Sequence, residues 1–83
     1  MIYLMINFNA SVVIDYLKSI KPDQPFTVED LVRTVGQSLG GQWAGIFEIQ
    51  AQEDIEKYLL DQGLINEYGS TKLYTIDKKV NKL

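Results

Sequence analysis

The chain contains no cysteine and no histidine. Without thiols, disulfides, zinc–thiolate centres and cysteine nucleophiles are excluded. Without imidazole, the usual general base and the commonest transition-metal ligand are missing as well. A cysteine-free composition fits a reducing compartment. Long hydrophobic runs are also lacking. The apolar stretch "MIYLMI" at 1–6 is far shorter than the roughly 20 residues that span a bilayer. It lacks the basic n-region of a secretory signal, and polar residues follow it at once. The expectation is a cytoplasmic protein with no metal, no cofactor and no membrane contact.

What is present suffices for one folded domain. The 83 residues are 46% apolar, which supports a core and argues against disorder. The net charge of −3 is unevenly distributed. Residues 1–67 hold four basic side chains (Lys18, Lys21, Arg33, Lys57) against ten acidic ones, whereas residues 68–83 hold Lys72, Lys78, Lys79 and Lys82 against Asp77 alone. The balance is therefore −6 before residue 68 and +3 after it.

Hydrophobic spacing predicts three helices. In the first, at about 9–21, Val13, Tyr16, Leu17 and Ile20 form one apolar stripe. Asn9 or Ser11 is its candidate N-cap, and Pro22 ends it. The second, at about 28–39, opens on Thr27 as N-cap, with Asp30 as a short-armed capping-box partner and Phe26 and Leu31 as a hydrophobic staple. Gly40 and Gly41 end it. The third, at about 51–62, places Glu53 and Asp54 in its first turn, buries Ile55, Tyr58 and Leu59, and stops at Gly63. A hairpin follows, with strands at 64–67 and 72–76 around the turn "YGST". "MIYLMI" supplies an N-terminal apolar strand at 2–6, and "DKKVNKL" is expected to be a soft basic tail.

This α+β order, with "PFTVEDLV" opening the second helix and "IEKYLLDQGLINEYGSTKLYTI" running from the third helix through the hairpin, resembles a winged-helix domain. The resemblance covers roughly residues 9–77. It divides the chain into one domain at 1–77 and a basic tail at 78–83. It implies a third helix that enters the DNA major groove and a wing that touches the backbone. The outward positions of that helix would include Gln52, Glu53, Glu56, Lys57 and Asp61. Three of these are acids, which phosphate repels, although Gln52 could read adenine and Lys57 could reach a phosphate. Nucleic-acid contact would fall mainly to Lys72, Lys78, Lys79 and Lys82 on the wing and tail. Tyr68 and Tyr74 lie beside these lysines, where they could stack bases or pack across the strands.

The spacing of chemical groups argues against catalysis. Gly40 and Gly45 have the separation of a phosphate loop, but Ile46 and Phe47 stand where Lys and Ser/Thr are needed. Glu53, Asp54 and Glu56 read as a solvated face that complements a helix dipole. They lack the regular ligand spacing and interior glycine of a calcium loop. Ser11, Ser19, Ser38 and Ser70 have no histidine to activate them.

One segment resists this bookkeeping. "QWAGIFEIQ", at 42–50, puts the only tryptophan and several large apolar residues where a short polar connector is expected. Trp43, Ile46 and Phe47 have the spacing of one helical turn, yet "GIFEI" could equally be extended. The segment could roof the core, line a small-ligand pocket, or stay exposed as a partner surface. The reading adopted is a non-catalytic regulatory module that binds a protein partner or a second copy of itself through Trp43, Ile46, Phe47 and Ile49. Nucleic-acid binding through Lys72, Lys78, Lys79, Lys82, Lys57 and Gln52 is the alternative.

Overall fold

The computed structural model describes residues 10–41, 46–69 and 72–83. Strand 2–6, Asn9 as a cap, and Trp43 lie outside them. Chain order is helix α1 (Ala10–Lys18), strand β1 (Phe26–Thr27), helix α2 (Val28–Ser38), helix α3 (Ile46–Asp61), strands β2 (Ile65–Glu67) and β3 (Leu73–Ile76), and a 3-10 helix (Lys78–Lys82). The result is a small α+β fold in which helices pack against a three-stranded antiparallel sheet of order β1-β3-β2. Among the described residues no helix is long and apolar enough to cross a membrane.

Local chemistry accounts for the helix boundaries. The Asp30 N–H donates to Thr27 Oγ1 at 3.1 Å, so Thr27 caps α2 as its sequence position suggests. The reciprocal half of the capping box is not formed, because the Asp30 carboxylate lies 3.5 Å from Arg33 Nη1. At the other end, the Gly41 N–H reaches Gly36 O at 2.9 Å and the Gly40 N–H reaches Gln37 O at 3.1 Å. This is a Schellman pair, and it requires the left-handed φ of 77° that Gly40 adopts. The end of α3 repeats it, with Leu64 N–H on Leu59 O at 2.9 Å and Gly63 N–H on Leu60 O at 3.1 Å.

The first helix is shorter than its apolar stripe suggests. After Lys18 the chain tightens, with Ser19 and Ile20 N–H groups reaching back only three residues, to Tyr16 O and Leu17 O, both at 3.0 Å. Ser11 lies inside α1 and is therefore not its cap.

Two expectations about the rest of the chain are corrected. First, α3 begins at Ile46, about a turn and a half before the expected start at 51. Glu53 and Asp54 therefore stand in its middle, and Glu48 takes the first turn. Asp54 is 1% exposed and accepts from Gln50 Nε2 at 3.1 Å, so it is part of the interior and not of a solvated face. Second, residues 78–83 are not a frayed tail. Asp77 caps the 3-10 helix by accepting from Lys79 N–H at 3.0 Å, and Val80 is 0% exposed. An apolar side chain one turn beyond a good capping residue can anchor a short helix, and this one packs against α1.

The core joins Val13 and Leu17 of α1, Leu31, Val32 and Val35 of α2, Ala51, Ile55 and Leu59 of α3, Ile65, Tyr74 and Ile76 of the sheet, and Val80. In the sheet, Tyr74 pairs with both Phe26 and Glu67, so β3 is the central strand. The hairpin is prolonged past β2 and β3 by Tyr68 N–H on Leu73 O at 2.8 Å and Asp77 N–H on Leu64 O at 2.9 Å.

Candidate functional site

The exposed surface of α3 follows from the direction of one residue. Glu48 points towards α2, where its carboxylate lies 3.7 Å from Arg33 Nε. Arg33 also holds Glu29 at 2.8 Å. These exposed ion pairs contribute little energy. The Glu48 contact shows which side of the first turn of α3 faces α2. Neighbours on a helix are about 100° apart, so Phe47 and Ile49 fall to either side of Glu48. Phe47 stands one turn before Ala51 and two before Asp54, so it extends the buried stripe of α3 past the end of the core. It is 58% exposed and Ile49 61%. Ile46 is the first residue of the same helix. Of the four candidate partner-binding residues, three therefore share the opening turn of α3.

The basic candidates do not form one surface. Lys72 is exposed at the turn of the hairpin, with a left-handed φ of 41°. Lys78, Lys79 and Lys82 lie beyond the other end of β3, a strand about 13 Å long at the usual rise. Lys79 is committed elsewhere. A Cβ added to Gly63 would stand 2.8 Å from Lys79 Nζ, so this ammonium sits against the C-terminal end of α3, where the helix dipole favours a cation. Lys57 is exposed and Gln52 half-buried on α3.

Between α3 and the hairpin turn lies a feature that the sequence did not announce. A concavity of about 270 Å³ is lined by Glu56, Glu67, Gly69, Lys72, Leu73 and Tyr74. Tyr74 is buried, its ring 6.5 Å from that of Phe26 and tilted by 47°. Its hydroxyl donates to Glu56 Oε1. That hydrogen bond first, then burial, then the negative charges of Glu56 and Glu67, push the phenol up to about 12. Glu56, expected to point outward, is instead half-buried beside the hairpin. Tyr74 packs across the strands and offers no free face for a base.

At the far end of the hairpin, Asn66 Nδ2 donates to Asp77 Oδ1 at 2.9 Å. That bond first, then the Lys79 N–H and the charges of Lys79 and Lys78, hold the Asp77 carboxyl below its ordinary range, against a smaller opposing effect of desolvation.

The signal for the longer α3 was in the sequence, since Phe47, Ala51, Asp54 and Tyr58 keep helical spacing. The carboxylate in that row and the glycines before it disguised the pattern.

No protein-family model matches the chain, no curated protein matches it, and no solved structure matches it. The functional reading therefore rests on the geometry of the site.

Proposed function

We propose that this is a winged-helix-like, non-catalytic module of the cytoplasm that acts in a regulatory role by binding protein, either a second copy of itself or a partner. Support for the fold comes from the order of helices and strands, with a hairpin placed beside the third helix. The observation that carries the binding mode is the exposure of Phe47 and Ile49 on one well-formed helical turn. The two lie about 160° apart around the helix axis, so each is a separate exposed apolar anchor, and aromatic side chains such as Phe47 are enriched at protein contacts. The sheet side of the same helix carries carboxylates where a phosphate backbone would need cations.

Sedimentation from low to high micromolar concentration tests self-association. A concentration-dependent increase in mass is expected, and a species that stays monomeric throughout overturns that form of the reading. The alternative of nucleic-acid binding is favoured by the exposure of Lys78 and Lys82, neither of which has an ion-pair partner among the described residues. Fluorescence anisotropy with duplex and single-stranded oligonucleotides at two salt concentrations distinguishes the two. Binding whose salt slope falls by about one unit for each lysine removed would favour nucleic acid.

A further inference from the structure

The groove beside α3 has a chemistry of its own. Its walls come from two separate elements: Glu56 from the helix, and Glu67, Gly69, Lys72, Leu73 and Tyr74 from the hairpin. Two carboxylates face one ammonium there, and no ion pair joins Lys72 to either acid among the described residues. Lys57 lies about 100° round the helix from Glu56 and does not line the groove. The Tyr74 hydroxyl donates to Glu56, and its phenol is raised by that bond first, then by burial and by the charges of Glu56 and Glu67.

The helix surface above the groove continues this pattern. At about 100° per residue, Ile49, Glu53, Glu56 and Leu60 fall within one stripe roughly 60° wide. Its two ends are apolar and exposed, Ile49 at 61% and Leu60 at 39%. Its middle is acidic. The stripe runs about 16 Å along the axis, the length of three helical turns.

We propose that the stripe Ile49–Glu53–Glu56–Leu60 and the groove beneath it receive a cationic segment of a protein partner, with a Lys or Arg side chain in the groove against Glu56 and Glu67. Apolar side chains next to that cation pack on Ile49 and Leu60. This rests on the reading that the module acts by binding protein, and it specifies the partner's chemistry. Complementary charge sets orientation and encounter rate, and a groove that excludes part of the water strengthens each contact. A phosphate backbone would meet Glu53, Glu56 and Glu67 instead, and would be repelled.

The test uses a capped peptide of four arginines flanked by leucines, titrated into the isotope-labelled full chain and followed by amide chemical shifts. Shifts are expected at Gly69, Leu73 and Tyr74. The variant Glu56→Gln with Glu67→Gln should weaken binding about tenfold or more. The variant Asp15→Asn with Asp23→Asn makes the same change in net charge on exposed residues elsewhere, and should weaken binding less than about twofold. Glu67→Lys alone, at an exposed strand position, should abolish the groove shifts without disturbing the Tyr74–Glu56 bond. Equal weakening in the two double variants would mean that the peptide senses net charge only, and would overturn the proposal. Groove amides that do not respond to the peptide, or that respond to duplex DNA, would overturn it too. Sedimentation of the unliganded chain is read separately, so a monomeric wild type would remove self-association without deciding the groove.

Discussion

Removing two methyl groups from Val80 should cost this domain about 2 kcal/mol. The side chain is 0% exposed and belongs to the same core cluster as Val13 and Leu17. Each buried methylene-sized group contributes roughly 0.8 kcal/mol, and the cavity left by Val80→Ala adds to the loss of about 1.6 kcal/mol. For a domain of this size, each kcal/mol shifts the melting midpoint by roughly 4–8 °C, so the transition should fall by about 10 °C. Urea titration followed by circular dichroism, with calorimetry alongside, measures both quantities. The slope of the urea transition should not change. Lys82→Ala, an exposed position in the same 3-10 helix, serves as the control and should stay within about 0.5 kcal/mol of the wild type. If Val80→Ala also stays within that range, residues 78–83 are not part of the folded core, and the account of how the chain closes fails.

Three further outcomes are expected. Tyr74 has a folded-state pKa raised to about 12, so its stabilising contribution is complete below pH 10 and is lost as pH rises towards 12; Tyr74→Phe should shrink that alkaline loss in a comparison of urea midpoints across the range, and an unchanged loss would exclude the Glu56 hydrogen bond as its source. Asp77 is shifted the opposite way, so its contribution is present above the ordinary carboxyl range and disappears as pH falls below it; Asp77→Asn should flatten the acid limb of the stability curve, whereas an acid limb identical to wild type would contradict the Asn66 and Lys79 contacts. Lys72 sits at a φ of 41°, which side chains other than glycine adopt at a cost, so Lys72→Gly should be neutral or stabilising by up to about 1 kcal/mol and Lys72→Val should destabilise; thermal melts in which glycine is the worse of the two would refute the strain.

Most of the fold was legible because its signals are local. Thr27 announced the start of α2, and Gly40 and Gly63 announced two helix ends. The departures arise where a tertiary contact overrides a local pattern. Asp54 looked like a dipole-complementing surface acid, but it is buried beside Gln50. The lysines of 78–83 looked like a tail, because one buried valine among five lysine, asparagine and leucine neighbours leaves almost no periodic signal. The candidate site was half legible. The apolar excess at Ile46, Phe47 and Ile49 was visible, but over so few residues helix and strand stayed equally open, and the carboxylate of Asp54 disguised the continuation of the stripe into α3. The groove was not legible at all, because it exists only once Glu56 and the hairpin are brought together.

The central claim is that α3 presents an apolar contact made for protein, and the effect of Phe47→Ala on association tests it most directly. Phe47 is 58% exposed, so burying the remainder of a side chain of roughly 200 Å² removes about 115 Å² from water, or about 3 kcal/mol. Sedimentation equilibrium of the wild type, Phe47→Ala and Phe47→Ala with Ile49→Ala should show association weakened about 100-fold by the first change and further by the second. Folding stability should change far less than it does for Leu59→Ala, a fully buried residue of the same helix. An association constant that is the same in all three proteins would contradict the account.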